Sequence, residues 1–140
     1  MYGDTAAIHG LAGQLRTRAG EIRDAATQLA DAIEEVAWAG VAAEAMRGQT
    51  GTQVAALRHT AVLHDDAADA LDQHADRVAQ LQQLIAAIEE KATQLVGAAT
   101  SRIADLGGDL LDPVDDLLAS FLPPPPGHLA WLSVDLPGLS

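Results

Sequence analysis

A chain of 140 residues carrying a formal charge of −12 and no cysteine has room for one domain with a tail, and excludes disulfides, thiolate metal sites and cysteine nucleophiles. Eight basic side chains against 20 acidic ones argue against binding to nucleic acid, whose phosphates demand Lys and Arg, and against contact with anionic membranes for the same reason. Strands favour β-branched and aromatic residues; here 29 alanines stand against four aromatics, Tyr2, Trp38, Phe121 and Trp131, so an all-α fold is expected.

The opening residues, MYGDTAAIHG, lack the basic start and apolar run of a cleavable leader. Any export is therefore expected to proceed without one. From Ile8 the apolar positions follow spacings of three and four: Leu11, Leu15, Ala19, Ile22, Ala26, Leu29, Ile33 and Val36. That alternation is the seam of a helix lying along another helix. It predicts a helix over about 5–37, capped by Asp4 or Thr5. Alanine seams let helices approach closely but bury little apolar area, at roughly 25 cal/mol per Å². A lone hairpin of this kind is expected to be marginal and to need a partner.

Trp38-Ala39-Gly40 follows as a turn. Glycine leaves the α region without a Cβ penalty, and Trp38 has the size to plug the gap where two helix ends splay.

The pattern resumes after Gly40 and predicts a helical run over about 41–105. Leu57, His64, Leu71, Val78, Ile85 and Ile88 lie on its seam, and Gly107-Gly108 stops it. Gly48 and Gly51 are the weak place. The first helix covers only about half of this run. Either the chain bends again near LHDDAAD to give three helices, or the overhang from about Ala75 to Ile103 packs on another chain. Continuity of the seam favours the straight helix.

Residues 1–106 are thus read as a helical hairpin and 107–140 as an acidic, proline-rich tail. The tail carries five aspartates and no Lys or Arg. Asp112 and Pro113 suit the start of a short helix over about 113–122. Its apolar stripe is Val114, Leu117, Leu118, Phe121 and Leu122, which either folds back on the bundle or docks a partner. Four prolines then form a stiff spacer, and GHLAWLSVDLPGLS shows no regular pattern.

Chemistry-bearing constellations are scarce. His59, His64 and His74 stand near Asp65, Asp66 and Asp69, but no two histidines have the i, i+3 or i+4 spacing of helix-borne ligands. His64, on the seam, reads as a packed or interface histidine that would make pairing pH-sensitive. Aspartates 65, 66, 69, 72 and 76 read as a solvated surface. With no phosphate loop and no nucleophile–base pair, neither an enzyme nor a cofactor or metal is expected.

An alanine-rich helix of some thirty residues, then Trp38-x-Gly40, then a second heptad helix, resembles the Trp-x-Gly (ESAT-like) family of type VII secretion substrates over about residues 5–90. The stretches WAGVAAEAMRGQ and DDAADALDQHADRVAQLQQLIAAI look like the N-terminal targeting domains of larger actinobacterial type VII effectors. The resemblance implies antiparallel hairpins that pair into four-helix bundles, as homodimers or with another Trp-x-Gly protein. It also implies recognition in the folded state by the type VII secretion ATPase, and secretion or association with the cell envelope. The Tyr-x-x-x-Asp/Glu signature of many such pairs is missing, since Ala6 lies four residues after Tyr2; Trp131-x-x-x-Asp135 has a related spacing beyond the prolines. The departure favours export as the passenger of a heterodimer. A rival reading is a cytosolic coiled-coil adaptor that docks a client through the tail helix. A lipid-associated helical protein is a weaker one, because basic residues are few.

Overall fold

The computed structural model describes residues 3–35, 39–106 and 113–139. Regular structure among them is entirely helical: α1 (Thr5–Glu35), α2 (Val41–Leu106), α3 (Pro113–Ala119) and a 3-10 turn, Leu129–Ser133. The fold is an all-α helical hairpin with a second helix of 66 residues. α2 runs unbroken through Gly48 and Gly51. The chain divides into two compact units, Asp4–Asp76 and Met1–Gly3 with Arg77–Ser140.

In the hairpin unit, Asp4 caps α1: its Oδ1 accepts from the Ala7 amide at 3.0 Å and its carbonyl from the Ile8 amide. Such a cap satisfies amides that have no partner within the helix. The interior is nearly all alanine. Ala12, Ala19 and Ala26 of α1 and Val54, Ala61, Ala68 and Ala75 of α2 are buried, each series at a spacing of seven. Three residues after each of these except Ala75, the larger seam residues Leu15, Ile22, Leu29, Leu57, His64 and Leu71 are only half-buried. Interaxial distance depends on the side chains at the contact; small residues take the centre line and larger ones go to its rim. The seam therefore lies one residue from its predicted place at the start of α1, with Ala12 buried and Leu11 52% exposed.

Charged residues clamp the two helices along this rim. Arg16 donates to Asp69 at 2.8 Å and to Asp72 at 2.6 Å, Nδ1–H of His9 donates to Asp72 at 2.8 Å, and Arg23 pairs with Asp65. Asp65, Asp69 and Asp72 are thus clamp residues rather than a free solvated surface. His9 and, after it, Arg16 hold the Asp72 carboxyl below its ordinary value, while Asp69 and Asp72 raise the Arg16 guanidinium.

In the other unit, the tail covers the second half of α2, and no further long helix forms among the described residues. Ile85, Ala92 and Ala99 form one core with Leu118, Trp131 and Leu136, with Ile88, Leu95, Phe121, Val134 and Leu139 packed against it. The segment read as patternless supplies the largest buried ring of this core. α3 ends at Ala119 rather than near residue 122: the Phe121 amide turns to the Leu118 carbonyl, a tighter bond than the helical one, and Leu122 precedes Pro123, which disfavours the α conformation. Gly3 (φ +73°) abuts Val78 with no room for a Cβ, and its carbonyl accepts from Gln82 Nε2 at 2.8 Å.

Polar contacts fasten the tail at intervals. Arg102 forms a forked pair with Asp115 (Nε at 3.0 Å from each oxygen, Nη2 at 2.5 Å from Oδ1), Glu89 accepts from the Gly127 amide at 3.2 Å, and Lys91 donates to the Leu139 carbonyl at 2.8 Å. Arg102 holds the buried Asp115 carboxyl below its ordinary value of 3.8. A carboxyl depressed by folding contributes stability that is complete above its unfolded value and lost as pH falls through the folded one. Tail docking, followed by Trp131 fluorescence in a Trp38→Phe background, is therefore expected to weaken below about pH 4. Asp115→Asn should flatten that acid limb, and an unchanged limb would reject the assignment.

Candidate functional site

The features nominated in the sequence fall on the turn, the hairpin seam and the tail stripe. Trp38 lies outside the described residues. Gly40 lies inside them, at φ +112°, a conformation that residues with a Cβ rarely adopt. Its carbonyl accepts from the Glu44 amide at 3.1 Å and so opens α2. A Cβ at this position would meet nothing within 4 Å, so the demand for glycine is one of backbone strain alone. Gly40→Ala is expected to destabilise the hairpin by about 1–3 kcal/mol, read from urea unfolding followed by circular dichroism. No loss of stability would show that the turn relaxes at no cost.

The hairpin presents its larger apolar residues at the surface. Beside the half-buried leucines and isoleucines, Met46, Val62 and Leu63 are exposed. Near the turn, an open cleft of about 590 Å³ is lined by Ala30, Ile33, Glu34, Arg47, Thr50, Gly51, Val54, Ala55 and Arg58. Small residues make part of this lining, and the two arginines supply positive charge in an acidic chain.

The other nominated residues divide. Val78 and Ile85 are buried and Ile88 half-buried, all in the unit that holds the tail. His64 is half-buried, and its Nδ1–H donates to the Thr60 carbonyl at 2.8 Å, within its own helix. The tail stripe does not act as one surface: Leu118 is buried and Phe121 half-buried in the tail core, while Val114 and Leu117 are exposed. Trp131 is buried, with Nε1 donating to the Pro125 carbonyl at 3.0 Å, and Asp135 is exposed. The two ends of the Trp131-x-x-x-Asp135 spacing therefore sit in different environments.

The rim clamp was missed in the sequence, although a signal for it exists. Arg16, Arg23, Asp65 and Asp72 each immediately follow a half-buried seam residue, namely Leu15, Ile22, His64 and Leu71. Opposite charges beside the seam on facing helices are the flanking pairs of a coiled coil. Among the described residues no group of three or more His, Cys, Asp or Glu is placed to hold a metal ion, and no helix is long and apolar enough to cross a membrane.

No protein-family model matches the chain, and no curated protein or solved structure is significantly similar to it.

Proposed function

We propose that the protein acts by binding rather than by catalysis, as a type VII secretion substrate or the small partner of one, through pairing of its hairpin with a second Trp-x-Gly-type hairpin. The observation that carries the pairing is the inverted seam. Alanines occupy the interior, while Leu15, Ile22, Leu29, Leu57 and Leu71 stand half-exposed on the rim. Each leucine or isoleucine withdrawn fully from water contributes roughly 1.5–3 kcal/mol. A second hairpin laid along the rim would complete that burial, so the interface supplies what an alanine interior does not. The secretion half of the reading draws on the Trp38-x-Gly40 spacing in the sequence, with the chain around Gly40 as the part offered to the secretion ATPase.

The test is an immunoblot of culture filtrate and lysate from the native host and from a strain lacking the type VII secretion ATPase, with a lysis marker. Protein in the parental filtrate alone is the expected result, and Trp38→Ala should reduce it or weaken pairing. Protein confined to the lysate of both strains would end the secretion reading. It would shift weight to the cytosolic adaptor, which the exposure of Val114 and Leu117 on α3 favours. In that case Leu117→Asp should abolish capture of the client.

A further inference from the structure

We propose that residues 78–99 of α2 are a second helix-pairing seam, which the tail occupies within one chain and which α2 of a second copy takes, antiparallel, when the tail lifts. The seam repeats the pattern by which α2 meets α1. Positions 54, 61, 68 and 75 are buried with 57, 64 and 71 half-buried; positions 78, 85, 92 and 99 are buried with 81, 88 and 95 half-buried. Only a three-residue step separates the two series. The second series is thus built to receive a helix. It also has the length for one: residues 77–106 number 30, against 31 in α1.

What lies on it is not a long helix but a seven-residue one, a proline run and a 3-10 turn. This cover leaves two clefts against α2. One, of about 300 Å³, includes Ala92, Gly97, Phe121 and Trp131; the other, of about 470 Å³, includes Ile85 and Gly127. Both clefts open to the surface, so the strap covers this seam less completely than a helix laid along it would.

Charge selects the occupant. Residues 77–106 carry Arg77, Lys91 and Arg102 against Glu89, Glu90 and Asp105, a net charge of zero in a chain of −12. Two copies meet there without the like-charge repulsion that their other segments would bring. Symmetry fits as well. Centred on Ala92, an antiparallel pair sets Ala92 against its counterpart and Ile85 against Ala99, small beside small and large beside small, with the same patch used on both chains. The proposal concerns the tail-bearing unit and does not rest on pairing of the hairpin rim or on export.

The cysteine-free chain makes the test direct. In full-length protein, Ala92→Cys places a lone thiol beside the smaller cleft. Alone, it should react slowly with a maleimide and form no cross-link. Combined with Leu118→Ala and Trp131→Ala, it should leave α2 helical, double the mass read by light scattering over that of the single variant, and oxidise to a disulfide-linked pair. Arg102→Ala with Ala92→Cys, a milder release, should raise the cross-linked fraction over Ala92→Cys alone. A released chain that exposes its thiol yet keeps its mass and does not cross-link overturns the proposal. So does a thiol that stays shielded with no gain in mass, or an absence of cross-linking in both release variants.

Discussion

Trp131→Ala is expected to remove about 3–5 kcal/mol from the tail-bearing unit. The ring is 4% exposed, packs in one core with Ile85, Ala92, Ala99, Leu118 and Leu136, and meets Phe121 at a centroid distance of 6.2 Å and an interplanar angle of 59°. Its removal takes away the transfer free energy of the indole and opens a cavity next to a cleft that already exists. It also removes the tilted aromatic pair, worth roughly 0.5–1.5 kcal/mol beyond area burial, and the donor to the Pro125 carbonyl. Urea unfolding with circular dichroism at 222 nm reads the loss, and a loss below about 1 kcal/mol would mean that the tail does not hold this core in solution.

Ala68→Leu is expected to destabilise the hairpin unit by about 1–3 kcal/mol, more than the loss of a whole leucine side chain at Leu71. Ala68 is 0% exposed on the centre line between α1 and α2, so three added carbons have to force the helices apart or twist into strained rotamers. That movement also pulls Arg16 from Asp69 and Asp72, and Arg23 from Asp65. Leu71→Ala removes a half-buried rim side chain and leaves the helix spacing alone. Paired urea titrations compare the two variants. If Leu71→Ala proves the costlier, the rim is engaged by a second chain even in the purified protein, and the single-hairpin explanation of the ordering fails.

Much of this architecture is legible in the residue pattern. Spacings of three and four from Ile8 onward, broken at Gly40 and resumed from Ala43, specify two helices and a reversal, because heptad periodicity and a glycine at positive φ are local properties of the chain. Asp4 as a cap is equally local. The order of burial along the seam is not. Periodicity marks Leu11, Leu15 and Ala19 as one apolar stripe, but whether alanine or leucine lies on the centre line depends on how closely the second helix approaches. Hence Ala12 is buried and Leu11 exposed. The clamps among His9, Arg16, Asp69 and Asp72 depend on the register between helices more than 50 residues apart in sequence, although their positions beside the seam left a trace.

The tail shows where local reading stops. Pro113 and the apolar stripe mark a short helix, and the proline run marks its end. Nothing in GHLAWLSVDLPGLS announces that Trp131 and Leu136 complete a core with Ile85, Ala92 and Ala99, since those contacts are set by three-dimensional proximity and carry no period. By itself, then, the sequence determined an all-α hairpin, an acidic surface and the place of the turn, each following from composition and short-range periodicity. Tertiary structure alone decided which side chains fill the centre line, which aspartates are paired and what covers the second half of α2, because each depends on distances between segments far apart along the chain.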